Sequence, residues 1–192
     1  MMAPAPAQGI APELARRIRL VVLDVDGVMT DGGLYLGATA SGEAVELKRF
    51  EIQDGLGIRL LQEAGVTVSI VTGRESTAVS LRAAELGIAE CHQDRTAAKL
   101  RIVSDMLTRL GIGWDETAFL GDDLPDLAVM RRVGLPAAVG NAVPEARACA
   151  VWHGRRNGGH GAVRELAEAL LGARGEWAER VEAYVRDREA GL

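Results

Sequence analysis

Asp24 and Asp26 stand two residues apart in the run Asp24-Val25-Asp26-Gly27-Val28-Met29-Thr30. Three further polar groups follow: Thr72-Gly73-Arg74, Lys99, and Gly121-Asp122-Asp123-Leu124-Pro125-Asp126. Carboxylates gathered in one crevice repel one another, and a hard divalent cation removes that cost. Mg2+ prefers oxygen ligands, takes one or two carboxylates, and leaves room for a substrate phosphate. No cluster of His and Cys offers a zinc site. The Thr72 hydroxyl, the Lys99 ammonium and backbone N–H groups near Val25, Asp26 and Gly73 are suited to phosphate oxygens. A carboxylate can attack phosphorus and become an aspartyl phosphate, while a second one moves the proton. The chemistry implied is Mg2+-assisted phosphoryl transfer, in which a protein mainly supplies position and charge neutralisation. Each cluster alone is uninformative; the argument lies in their order along the chain.

Positioning them requires strands that end where the clusters begin. Ile18 to Val25 is a nearly continuous apolar run, as expected of a parallel strand buried on both faces. Val66–Val71 and Thr117–Leu120 repeat the pattern, and Ala89–His92, Pro136–Val139 and Cys149–Trp152 are weaker versions. Between them lie helical patterns: one capped by Asp54 and stopped at Gly65, then Glu75–Leu86, Thr96–Leu110 and Leu124–Arg132, with Gly87, Gly111 and Gly134 following. Alternation of this kind predicts a doubly wound, Rossmann-like parallel α/β sheet flanked by helices. Ligands in such sheets bind beyond the carboxyl ends of the strands, where all four clusters fall. Residues 33–50 break the rhythm, with alternating Val45-Glu46-Leu47-Lys48 after a polar turn, and read as a projecting β-hairpin.

Within 192 residues, 22 basic and 27 acidic side chains give a net charge of −5, which argues against a nucleic-acid binder. No apolar run approaches the ~20 residues of a membrane span. Cys91 and Cys149 lack metal or redox spacing and are expected to be free packing residues, as in the cytoplasm. The expected organisation is a flexible Pro/Ala-rich leader over 1–17, one domain over 18–174, and a C-terminal helix over 175–192. That helix carries Trp177, Val181, Tyr184 and Val185 on one stripe, to pack on its own core or on another subunit.

Together the four clusters resemble the motifs of the haloacid dehalogenase superfamily of phosphohydrolases. The resemblance implies Asp24 as nucleophile and Asp26 as general acid/base. It implies Thr72 and Gly73 around the phosphate, Lys99 as the third-motif lysine and Asp122 as the metal-binding acid. Mg2+ would be held by Asp24, Asp122 and the Asp26 backbone carbonyl, with Asp123 and Asp126 behind them. A narrower resemblance covers Ile18 to Leu171, through DVDGVMTDGGLYLG, QDGLGIRLL, VTGRES, GDDLPDL and GGHGAVREL. These segments are similar to the capless subfamily of 3-deoxy-D-manno-octulosonate 8-phosphate phosphatases, which serve lipopolysaccharide precursor synthesis. Members of that family are tetramers joined through their hairpins, so self-association as a homotetramer is expected, with a neighbour closing the site. Arg74 favours an eight-carbon sugar acid, because an arginine can grip a carboxylate bidentately; relatives acting on nine-carbon sialic-type sugar phosphates can carry an acid there. His160 departs from the arginine that eight-carbon enzymes often have. A receiver-type phospho-accepting signalling domain shares some of these residue types, but keeps its acceptor Asp after the third strand. A silent scaffold joined by the hairpin would have no use for three acids.

Overall fold

The computed structural model describes residues 9–191. The chain runs α1 (Pro12–Arg17), β1 (Leu20–Leu23), β2 (Tyr35–Ala38), β3 (Ala44–Leu47), α2 (Ile52–Glu63), β4 (Thr67–Thr72), α3 (Thr77–Glu85), β5 (Glu90–Gln93) and α4 (Lys99–Leu110). It continues through β6 (Thr117–Gly121), α5 (Leu127–Met130), β7 (Leu135–Ala138), α6 (Pro144–Cys149), β8 (Trp152–His153), α7 (Ala162–Arg174) and α8 (Trp177–Glu189). Six strands form one parallel sheet in the order β5-β4-β1-β6-β7-β8, and β2 and β3 form a separate antiparallel pair. This is the expected doubly wound sheet with a projecting hairpin.

β1 is central, and its register explains why the site forms. Leu23 lies beside Ile70 of β4 and Leu120 of β6. All four residues of β1 are fully buried, and each large apolar side chain so buried contributes about 1.5–3 kcal/mol. The chain leaves β1 to one side for β4 and to the other for β6, which opens a crevice at the carboxyl ends of these three strands. The sheet thus holds the ends of β1, β4 and β6 side by side through its best-buried residues.

Several local expectations differ. Within the expected 1–17 leader, Pro12–Arg17 form α1, which is anchored at two points. Ile10 and Ala15 are buried, and Arg174 Nε donates to the Ala15 carbonyl at 2.9 Å. Residues 1–8 of that leader lie outside the described residues. Glu51 caps α2, and its side chain accepts from the Ile52 N–H at 3.0 Å. Asp54 lies inside the first turn, buried, accepting from the Arg164 N–H at 2.8 Å. Leu124–Arg132 divides into a 3-10 turn over Leu124–Asp126 and the short α5. Cys149 and Ala150 do not begin a strand, because Pro144 starts α6 and that helix ends at Cys149. On α8, Trp177 and Tyr184 pack against the core, whereas Val185 is exposed. The Arg164 guanidinium lies 4.9 Å from the Trp177 ring centroid. No helix among the described residues is long and apolar enough to cross a membrane.

Candidate active site

β1 passes through Asp24 into a tight turn over Val25–Met29. Gly27 sits in this turn at φ +91°, and a Cβ there would come 2.1 Å from Asp122 Oδ2. Only glycine combines that backbone with such an approach, so Gly27 is what lets the fourth cluster reach the first. The Thr30 hydroxyl donates to the Val25 carbonyl at 3.1 Å and closes the turn. Gly158 covers it from outside, since a Cβ there would meet the Gly27 carbonyl oxygen at 1.7 Å.

Within this frame the charges meet. Lys99, the first residue of α4, donates to Asp24 Oδ1 at 2.6 Å and to Asp126 Oδ1 at 2.7 Å. All three side chains are buried. Asp126 Oδ2 accepts from the Asp122 N–H at 2.9 Å and the Asp123 N–H at 3.3 Å. Asp126 thus ties α4 to the end of β6. Asp123 caps the following turn by accepting from the Leu124 N–H at 2.7 Å. Asp24, Asp122 and Asp126 each offer a carboxylate oxygen within 4.8 Å of the others. Lys99 does not balance three carboxylates. Asp122 Oδ1 is buried without a hydrogen-bond partner.

The electrostatics follow from this imbalance. Burial, then the Asp126 charge, raises the Asp24 carboxyl to about 6 against the opposing pull of Lys99. Burial, then Asp24, Asp126 and Asp123, raises Asp122 to about 8. Burial works against the Lys99 ammonium, but Asp24 and Asp126 outweigh it and hold its pKa above the ordinary value. An orphaned buried oxygen among acids that resist ionisation is an environment suited to a divalent cation. The donors are oxygens only, which fits Mg2+.

The Asp26 side chain stands apart from this trio. Its Oδ1 accepts from Lys48 Nζ, and Arg74 Nε lies 3.8 Å from its Oδ2. Its carboxylate is thus not a member of the acid cluster; the metal expectation for Asp26 concerned its backbone carbonyl. Thr72 is buried at the end of β4, and Arg74 N–H donates to its hydroxyl at 3.3 Å. Arg74 itself reaches Glu46 Oε2 at 2.8 Å. A cleft of about 260 Å³ is lined by Asp24, Asp26, Thr72, Gly73, Arg74, Ala97, Lys99, Asp122, Asp123, Pro125 and Asp126. Every expected site residue therefore lines one cleft. A larger cleft of about 480 Å³ between α2, α3 and α8, lined by Ile52, Arg82 and Tyr184 among others, contains no such cluster of acids. His160 is exposed and does not line the site cleft; its Nδ1 is 3.5 Å from Arg49.

Sequence reasoning did not assign Lys48 or Glu46 to the site. Their alternation with Val45 and Leu47 marked a strand with two faces, and only the folded-back hairpin shows which face meets Asp26. Ala97 was also missed. It lines the cleft at φ +53°, alone among the described non-glycine residues at positive φ, a conformation that costs about 1–2 kcal/mol.

Residues 94–166 match the family model for haloacid dehalogenase-like hydrolases. The chain is 44% identical over 162 residues to 3-deoxy-D-manno-octulosonate 8-phosphate phosphatase KdsC of Escherichia coli K12, covering 84% of each chain. A crystal structure of the corresponding phosphatase from Moraxella catarrhalis, in complex with magnesium ion, phosphate ion and a KDO molecule, superposes with a TM-score of 0.84. It is 36% identical, covering 90% of this chain and 97% of that one. A cobalt-bound form of the Haemophilus influenzae phosphatase gives a TM-score of 0.77 at 34% identity, covering 85% of this chain and 93% of that one.

Proposed function

The chain belongs to the KdsC family of haloacid dehalogenase-like hydrolases, and from that premise we propose that it hydrolyses 3-deoxy-D-manno-octulosonate 8-phosphate to the free sugar acid and phosphate. The observation that carries this reading is Lys99, bridging Asp24 and Asp126 at 2.6 and 2.7 Å beside the unpartnered Asp122 oxygen. Asp24 and Asp122, with the Asp26 backbone carbonyl, would hold Mg2+, and Asp126 lies within reach as a further acid. When bound, Mg2+ supplies charge neutralisation for the phosphoryl oxygens.

The protein's own groups then account for two half-reactions. An Asp24 carboxylate oxygen bonds to phosphorus as the ester P–O bond breaks, and the Asp26 proton passes to the departing alkoxide, giving the alcohol. Water then bonds to phosphorus as the Asp24–phosphorus bond breaks, and its proton returns to Asp26. The Lys99 ammonium fixes the attacking carboxylate. Thr72 and the Gly73 backbone hold the phosphoryl oxygens. Arg74, half-exposed at the mouth and held by Glu46, would meet the sugar carboxylate.

On this reading residues 18–174 form the phosphatase domain, with 175–192 as an appended helix. The enzyme is cytoplasmic and serves lipopolysaccharide precursor synthesis. It works as a homotetramer, a state supported by the hairpin, which leaves Tyr35, Leu36 and Leu47 more than half exposed. The test is phosphate release from a panel of eight-carbon and nine-carbon sugar-acid phosphates, with and without Mg2+. Eight-carbon preference dependent on Mg2+ supports the proposal. Nine-carbon preference would move the substrate, and no release from any ester would contradict it.

A further inference from the structure

Lys48 brings a charge to the site from outside the sheet. It directly follows β3, and the strand period of two gives it the same side as Glu46. Its side chain is fully buried, and its Nζ contacts Asp26 Oδ1 and lies 3.6 Å from Glu46 Oε1. Burying an ammonium is unfavourable unless it is paired. Among the described residues these two acids are its ion partners.

Asp26 needs a tether. The turn through Gly27 fixes its backbone, yet its side chain stands two residues from Asp24, which belongs to a cluster whose acids already repel one another. Its carboxylate points instead at the hairpin, with Oδ1 taken by Lys48 and Oδ2 facing Arg74 at 3.8 Å. Glu46 holds Arg74 at 2.8 Å and so braces the second side of the same carboxylate.

We propose that Lys48 is a positioning residue: it anchors one Asp26 carboxyl oxygen and leaves the other, only loosely approached by Arg74, to serve the departing ester oxygen in the cleft that Asp26 lines, so that the hairpin governs proton delivery to the leaving group. This rests on Asp26 as the acid/base of the proposed phosphatase. The consequence is selective. An alkoxide leaves only with a proton, whereas a 4-nitrophenolate leaves readily without one. Loss of Lys48 therefore affects sugar phosphates and spares activated aryl phosphates.

The test compares kcat/KM for 3-deoxy-D-manno-octulosonate 8-phosphate, phenyl phosphate and 4-nitrophenyl phosphate in the intact chain and in Lys48→Met and Lys48→Arg. The quantity kcat/KM reads the steps up to departure of the leaving group. Lys48→Met is expected to lose ~10²-fold on the sugar phosphate, the scale of general acid catalysis. It should lose least on 4-nitrophenyl phosphate, with phenyl phosphate between. Lys48→Arg, which keeps a cationic donor, should restore much of the ratio. Misfolded enzyme lowers all three substrates alike, so the ratio is insulated from a folding defect. Equal losses on all three substrates, or no loss on any, would overturn the proposal. An unmutated chain that cleaves none of the esters with Mg2+ would instead overturn the phosphatase reading.

Discussion

The acid cluster and the hairpin solve opposite problems. Around Asp24 the fold buries charge: Asp24, Asp126 and Lys99 are all nearly inaccessible, tied together across three chain segments. On the hairpin it exposes apolar surface: Leu36 and Leu47 are 73% and 63% exposed on a two-stranded sheet that pairs with no other strand among the described residues. The first region is braced by the sheet and by the Lys99 bridge. The second stands off the main sheet, and a two-stranded hairpin is marginal alone. The difference teaches that the reacting groups depend on the sheet, while Lys48 and Glu46, which meet Asp26 and Arg74, depend on an element the sheet does not stabilise.

The sharpest way to break the acid cluster is Asp24→Asn. It keeps the side chain's shape and removes the attacking oxygen, so turnover should fall to background while the melting temperature holds or rises. Near-normal turnover would remove Asp24 from its role. Lys99→Ala should cost ~10²–10³-fold in kcat, the scale for one charge-stabilising group. It also leaves two buried acids without their cation, so the metal-free protein should lose up to about 3–5 kcal/mol in denaturant unfolding. A neutral effect on both readouts would remove Lys99 from its role as the bridge between Asp24 and Asp126.

A pH series sharpens the same region. Asp24 at about 6 and Asp122 at about 8 hold protons more tightly in the folded state than an ordinary aspartate at ~3.9 does. The folded state therefore binds more protons, and the metal-free protein should lose stability as pH rises from about 4 to 8. Mg2+ must displace the Asp122 proton, so its apparent affinity should rise with pH up to about 8 and then level off. Calorimetry in buffers of different ionisation enthalpy would show proton release at pH 7 that vanishes above pH 9. Release independent of pH would contradict the assignment. The hairpin gives the smallest effect on the isolated fold. Leu36→Asp should leave thermal unfolding of the sheet within about 0.5 kcal/mol, as for other surface changes, yet lower the assembly mass in light scattering. An unchanged mass would count against assembly through the hairpin.

The sheet and its acids were legible because apolar runs and strand-end carboxylates sit next to each other in the chain. What escaped was set by contacts distant in sequence. Ile10–Arg17 reads as leader because nothing local says that Arg174 Nε donates to the Ala15 carbonyl. Asp54 reads as a cap as readily as Glu51 does, and the choice is made by α7, whose Arg164 N–H needs an acceptor. The bond from Lys99 to Asp126 was not legible, because that reach depends on a 3-10 turn that helical periodicity does not reveal.

The most direct test is rapid acid quench of a single turnover, using substrate carrying radiolabelled phosphate with Mg2+ present. Label should appear transiently on the protein, be released by hydroxylamine as acyl phosphates are, map to the peptide containing Asp24, and be absent from Asp24→Asn. Turnover with no protein-bound label at any time, or label on another residue, would contradict the account.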